Sequence, residues 1–164
     1  MTALKERLDA DLLEEEEEEE DTQEDKYLTF LIGQEEYGIE IRYVTEIIGI
    51  QNITEVPDMP PFIKGVINLR GKVIPVMDVR LRFGVEARPY DDRTCIVVIN
   101  IGDTLVGLIV DRVSEVLDIP KTDLEPPPRV RKGEESRFIQ GMGKVGDKVK
   151  IILNAEKLLY EQNA

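Results

Sequence analysis

The chain is 164 residues long, 41% apolar and formally at −13, with 34 acidic against 21 basic side chains and no histidine. That length suits one domain, or two small units sharing a core. The missing histidine excludes His-based triads, the usual zinc sites and histidine phosphotransfer within this chain.

The charge is not spread evenly. Residues 1–25 carry thirteen Asp and Glu, seven of them the run of consecutive glutamates 14–20, against Lys5 and Arg7, so the other 139 residues stand at only −2. Leu4, Leu8 and Leu12 fall at helical spacing, but a like-charge block this dense repels itself, and disorder is the expectation for 1–25. The body is nearly neutral and has no basic stripe with interleaved aromatics, which sets nucleic acid aside. Cys95 is the lone cysteine; it opens the run CIVVINI and reads as a small buried hydrophobe in a reducing compartment. No apolar segment approaches about 18 residues and no signal-peptide core is present, so the protein is expected to be soluble and cytoplasmic.

From Lys26 the texture changes to short apolar runs punctuated by turns. YLTFLI and YGIEI flank residues 33–36 and predict a hairpin; RYVTEIIGI follows as a one-turn helix or a bent strand. After a proline-marked connector at 58–61, FIKGVINLRGKVIPVMD (62–78) predicts two strands and a turn. The turn is unusual, because Leu69 and Arg70 stand beside the Gly71 that a tight reversal needs. DVRLRFG reads as a brief helix with Asp78 as N-cap and Gly84 as its stop. CIVVINI and TLVGLIV flank Gly102 and Asp103, a strong hairpin signal, and RVSEVLDI comes next. A polar excursion over 120–136 is the longest loop. RFIQGMGKV and DKVKIIL flank a turn at Gly146, and Asn154 caps a terminal helix, AEKLLYEQ.

The two halves superimpose. A shift of 69 positions places Gly33 on Gly102, Gly38 on Gly107, Val44 on Val113 and Glu46 on Glu115; a shift of 76 places Phe62 on Phe138, Gly65 on Gly141, Val73 on Val149 and Asp78 on Asn154. The body, 26–164, is therefore a duplicated half, expected as two interleaved β-barrel halves, approximately 26–90 and 91–164. A unit of that size buries too little apolar surface to stand alone, so two copies should pack around a shared core. About five short strands per unit predict two small β-barrels side by side, with no exposed sheet edges. The repeat also shows a difference: residues 68–71, NLRG, fall on Lys144, Val145, Gly146 and Asp147, an ordinary Gly-Asp turn. One half has placed an arginine where the other keeps a plain hairpin.

Catalytic chemistry would have to rest on carboxylates, with Glu46, Asp78, Asp111 and Glu115 as candidates, each of which also reads as a cap, a solvated charge or an ion-pair partner. GMGKVGDK lacks the spacing of a phosphate loop, no calcium loop occurs, and no metal or cofactor is expected. Glu46 interrupts the apolar stripe Val44, Ile47, Ile48. Brought near Arg70, it would pair with it bidentately and hold the turn in one orientation; kept apart, each is simply solvated.

The phrases EEYGIEI, VTEI, PPFIKGVINLRGKVIPVMDVR, VGLIVDRVSEV, FIQGMG and IILNAEKLL, in this order, resemble the family of bacterial chemotaxis coupling proteins, CheW, from about Tyr27 to Leu159. The resemblance implies an all-β fold with short helices: two five-stranded SH3-like barrels related by a pseudo-twofold. It implies a non-catalytic adaptor, monomeric when free, that couples the cytoplasmic tip of chemoreceptors (methyl-accepting chemotaxis proteins) to the regulatory domain of the histidine kinase CheA. It also implies recruitment to membrane-bound arrays without insertion into the membrane. Carried over by motif, Glu46 and Arg70 match the family's charged pair near the receptor-binding groove. Val44, Gly65, Asn68, Leu69 and Gly71, with Gly107, Asp111, Val113, Val116 and Gly141, fall on positions that line or shape its binding surfaces. The glutamate run is not part of that pattern. A coupling protein of a non-flagellar chemosensory pathway, or an enzyme using Glu46 or Asp111 as a base, are the alternative readings.

Overall fold

A computed structural model describes residues 24–127 and 134–160. Residues 1–23, most of the segment for which disorder is expected, 128–133 within the polar excursion, and 161–164, which hold the end of the expected terminal helix, lie outside the described residues. The first repeat gives β1 (Lys26–Ile32), β2 (Glu35–Glu40), β3 (Val44–Gly49), β4 (Ile63–Leu69), β5 (Lys72–Asp78) and the helix α1 (Val79–Arg82). The second gives β6 (Cys95–Ile101), β7 (Thr104–Val110), β8 (Arg112–Asp118), β9 (Leu124–Glu125), β10 (Ile139–Val145), β11 (Lys148–Leu153) and α2 (Ala155–Tyr160). RYVTEIIGI takes both of its expected forms: Ile41–Tyr43 make one 3-10 turn, and the alternation of Val44–Gly49 then settles into a strand. The excursion after Pro120 is not all loop, because β9 lies within it and pairs with β10.

The caps act as the sequence predicts. Asp78 accepts from the backbone N–H of Arg80 at 3.0 Å, and α1 stops at Gly84, whose φ of 74° is open to glycine. Asn154, its repeat counterpart, accepts from the Lys157 N–H at 3.0 Å.

The strands form two sheets in the orders β8-β1-β2-β11-β10-β9 and β3-β6-β7-β5-β4. Under the repeat these orders map onto each other, with β9 as an addition to the first. Each sheet crosses the repeat boundary: the hairpin β1–β2 is inserted among strands of the second repeat, and the hairpin β6–β7 among strands of the first. The joins are short parallel ladders, β11 with β2 and β5 with β7. In the second sheet the chain beyond β3 folds back across β4 in a bridge between Thr54 and Val66, so the sheet curls upon itself; β9 on β10 does the same in the first. These are the two barrels.

Alternate residues of the central strands face two different interiors. Val97, Ile99 and Ile101 of β6 join Leu28, Phe30 and Ile32 of β1, with Phe83, Phe138 and Leu158, in the core between the barrels. Ile96 and Val98 face the second barrel's own interior with Ile67, Ile74, Val76 and Ile109. Burial on both faces is why these strands are continuous apolar runs rather than alternating ones. The first barrel's interior is smaller, built on Tyr27, Ile119 and Ile152. At the centre, the buried Arg82 lies 4.3 Å from the ring of Phe62 and 4.6 Å from that of its counterpart Phe138, and donates from Nε to the Leu158 carbonyl at 2.8 Å.

Candidate interaction site

The 62–78 hairpin turns on Arg70 and Gly71, since Leu69 pairs with Lys72 across it. Both turn residues have positive φ, 51° and 85°, as a two-residue hairpin of type I′ requires. Gly71 adopts this freely, but for arginine it costs roughly 1–2 kcal/mol of backbone preference. The repeat counterpart of Arg70 is Gly146, with φ of 63°. The second repeat thus uses glycine where the first holds an arginine in a backbone state that disfavours it, which is the kind of local strain kept at functional positions. Asn68 fixes the turn by accepting the Gly71 N–H on Oδ1 at 2.9 Å.

Glu46 and Arg70 meet. Arg70 donates from Nη1 to Glu46 Oε1 at 3.0 Å and from Nη2 to Oε2, a bidentate pair. The two belong to opposite edges of the sheet order, β3 and the β4–β5 turn, so their contact exists only because the barrel curls shut. A bulge directs Glu46 there: β3 pairs Val44 with Ile99 and Glu46 with Val98, leaving Thr45 as the extra residue, whose hydroxyl donates to the Val98 carbonyl at 3.1 Å. Hydrogen bonding to Glu46, then its charge, holds the Arg70 guanidinium above its ordinary pKa. The guanidinium remains 75% exposed while Glu46 is 24% exposed, so the arginine is presented and the carboxylate is its support. An open cleft of about 360 Å³ lies beside the pair, lined by Thr45, Leu69, Lys72, Val98 and Leu105 as well.

Asn68, Leu69, Arg70, Gly71 and Glu46 are therefore brought together. Val44, next in chain, is half-buried against the core between the barrels. Asp111, Val113 and Val116 lie on the other sheet's side, along β8 and the step into it. Val116 is exposed, Val113 packs on the shared core, and Asp111 is bound up in a clasp. Arg80 donates to both Asp111 oxygens, 2.8 Å from Nε to Oδ1, and the Gly33 N–H donates to Oδ2 at 2.7 Å. Arg88 approaches within 3.5 Å. Burial alone would raise the Asp111 pKa, but these donors and charges outweigh it and hold it below the usual range. The clasp ties the β1–β2 turn to α1 and β7.

Gly65, Gly107 and Gly141 are buried and present no side chain to a partner; close approach explains them. A Cβ at Gly65 would stand 2.1 Å from the Thr54 carbonyl oxygen, where the barrel-closing bridge passes, and one at Gly107 would stand 2.6 Å from Ile96 Cγ2. Gly141, the counterpart of Gly65, leaves 3.0 Å to the Glu125 carbonyl oxygen.

Sequence reasoning missed Thr45 and Arg80. A signal for Thr45 existed, since the repeat sets it against Ser114 and so puts a hydroxyl at both bulges; Arg80 has none, because a short helix gives no face on which to place it. Among the described residues there is no group of His, Cys, Asp or Glu arranged to hold a metal ion, and no helix long and apolar enough to cross a membrane.

Comparison with known proteins bears on the family and the fold. The CheW-like domain family matches residues 26–163. The chain is 38% identical over 137 residues to the chemotaxis protein CheW of Klebsiella aerogenes, covering 84% of this chain and 82% of that protein. It is 35% identical over 134 residues to the chemotaxis protein CheW of Helicobacter pylori, covering 82% and 81%. In structure it is similar to the scaffolding protein TtCheW from Thermoanaerobacter tengcongensis, with a TM-score of 0.78, 40% identity, and coverage of 85% of this chain and 94% of that one.

Proposed function

The chain belongs to the CheW-like domain family, and from that premise we propose that it is a non-catalytic adaptor, coupling chemoreceptors to the histidine kinase CheA in chemotaxis signalling. The observation that carries the reading is Arg70: an exposed guanidinium, held bidentately by Glu46 on a left-handed turn, at the rim of an open cleft. Such a group is fixed before it binds, so little order is lost on docking. Leu69, Val98 and Leu105 give the cleft an apolar floor suited to the side of a helix, and Lys72 and Thr45 give it a polar rim. In this reading the cytoplasmic tip of a chemoreceptor is the helical partner, and the regulatory domain of CheA docks on the barrel flanks. Val113 and Val116 on β8 belong to these surfaces, while Gly65, Gly107 and Gly141 shape them from within. The protein works in the cytoplasm, drawn to receptor arrays by its partners, and is monomeric when free. Individual contacts are modest and the array supplies avidity.

Titration of the isotope-labelled chain with a receptor-tip hairpin, and separately with the CheA regulatory domain, tests this by NMR. Perturbed amides at Thr45, Glu46 and 68–72 are expected in at least one titration. An unperturbed spectrum with both partners would overturn the proposal. Arg70→Ala is expected to weaken binding while the dispersed spectrum of the fold survives; an unfolded variant would make the pair structural instead.

A further inference from the structure

The two parallel joins, where a strand of one repeat meets a hairpin of the other, are sealed differently. In the second barrel, β5 meets β7 over Val76–Gly107, Met77–Leu108 and Asp78–Ile109, and inside it Ile74, Leu105 and Val98 belong to one apolar cluster. Their repeat counterparts in the first barrel are Lys150, Glu36 and Thr29. There β11 meets β2 over two pairs only, Ile151–Tyr37 and Ile152–Gly38. Lys150 donates from Nζ to Glu36 Oε2 across that join, with side-chain exposures of 8% and 20%. Thr29, fully buried, exchanges hydrogen bonds with the Glu115 backbone, 2.9 Å to its carbonyl and 3.2 Å from its N–H. Two open clefts reach this barrel, one of about 680 Å³ lined by Tyr27 and Leu124 among others, and one of about 220 Å³ that touches Ile152. Both meet its small apolar interior, Tyr27, Ile119 and Ile152.

We propose that the β2–β11 join is a releasable seam: the first barrel opens along it while the second stays shut, and the Glu36–Lys150 pair is the latch. A buried pair holds only while both charges are present, because loss of one leaves the other buried and uncompensated. An apolar seal has no such dependence. Local openings follow the least densely sealed unit, and here that unit is separate from the Glu46–Arg70 turn. The adaptor thus has one fixed face and one compliant one. The groups facing Glu36 are Lys150 and Lys148 from β11 and Thr29 from β1; burial opposes its charge, yet these partners hold its pKa below the ordinary value. Since the folded pKa is the lower one, the latch is fully set above the unfolded pKa and is lost as pH falls through the folded one.

Native-state hydrogen exchange on the whole chain tests this. At neutral pH, amides of β10 and β11 should be at least tenfold less protected than their counterparts in β4 and β5. Lowering the pH from about 6 to about 3.5 should widen the gap. Glu36→Gln should lower first-barrel protection by a further factor of about ten and leave the second barrel unchanged. Glu36→Leu with Lys150→Ile, which copies the apolar seal, should raise it to the level of the second barrel. Equal protection of the two seams in the unaltered chain, or parallel loss from both barrels on acidification, would overturn the proposal, and neither measurement requires a variant that folds.

Discussion

The two barrels share a strand order but not a chemistry. The second has an apolar interior, six buried aliphatic side chains from β4 to β7, and spends its polar residues at the rim, on the Glu46–Arg70 pair. The first has a plain Gly146–Asp147 turn at its rim, and beside a smaller apolar interior it buries Thr29 and Lys150, with Glu36 half-buried at the join. Two copies of one scaffold therefore differ in chemistry, and the one with the larger apolar interior carries the turn proposed to meet a partner. A strained rim residue is tolerated where the barrel beneath it is firmly closed.

The sharpest way to break the comparison is at the glycines over which each barrel closes. Gly65→Ala sets a Cβ 2.1 Å from the Thr54 carbonyl oxygen at a φ of 150°, so backbone must move, and a loss of about 3–4 kcal/mol in denaturant unfolding is expected. Gly141→Ala, at 3.0 Å from the Glu125 carbonyl oxygen with no such φ, should cost about 1 kcal/mol. Equal losses would mean that the two closures are equivalent after all.

Next in size is the clasp that joins the two sheets. Asp111→Asn leaves the guanidinium of Arg80, 14% exposed, without its counter-charge, and a loss of about 3 kcal/mol is expected. The Asp111 pKa is lowered on folding. Its contribution is therefore complete above the unfolded carboxylate value of about 4 and disappears as pH falls through the lower folded value. Acid unfolding followed by circular dichroism should show the unaltered chain and the variant converging below about pH 4.

Exchange of the turn residues between repeats separates strain from recognition. Arg70→Gly should leave the unfolding midpoint where it is and weaken partner binding about tenfold, measured by calorimetry. Gly146→Arg places a side chain on the left-handed backbone of the other turn and should cost about 1 kcal/mol with no gain in binding, since Glu115 lies on a strand whose partner turn was never shaped to hold a guanidinium. The smallest effect is expected at the exposed counterparts Val73 and Val149: serine at either should move stability by less than about 0.5 kcal/mol, and any effect on partner binding should come from Val73.

Local chemistry was legible in the sequence. Gly-Asp and Asn-x-x-Gly turns, the Asp78 and Asn154 caps and the repeat itself placed the strands of the hairpins, while RYVTEIIGI read equally as a one-turn helix or a bent strand, and the odd residue in one turn pointed to Arg70. What the residues did not disclose is which strands share a sheet. The halves read as interleaved around a shared core, but the exchange of hairpins was not visible, because apolar periodicity reports how a strand is buried and not by whom. Lys150 is the clearest case: DKVKIIL places it in phase with Lys148 on a face that reads as solvated, and only closure of the first barrel turns that face inward. The bulge at Thr45 left only an indirect trace, the hydroxyl that the repeat sets against it at Ser114, since one extra residue in a strand leaves its composition unchanged. Without that bulge the expected Glu46–Arg70 pair remained one of two possibilities.

The insertion of each repeat's hairpin into the other's sheet has an ancestral implication. A lone repeat would own a hairpin with no sheet to enter and a sheet missing its middle, and two identical copies would complete each other. In the present chain the two repeats complete each other within one polypeptide, and the 85–93 connector replaces a concentration-dependent encounter by a local concentration on the order of millimolar. A chain cut within that connector should still be held together by the two exchanged hairpins, and size-exclusion chromatography of the nicked protein would show whether the fragments part.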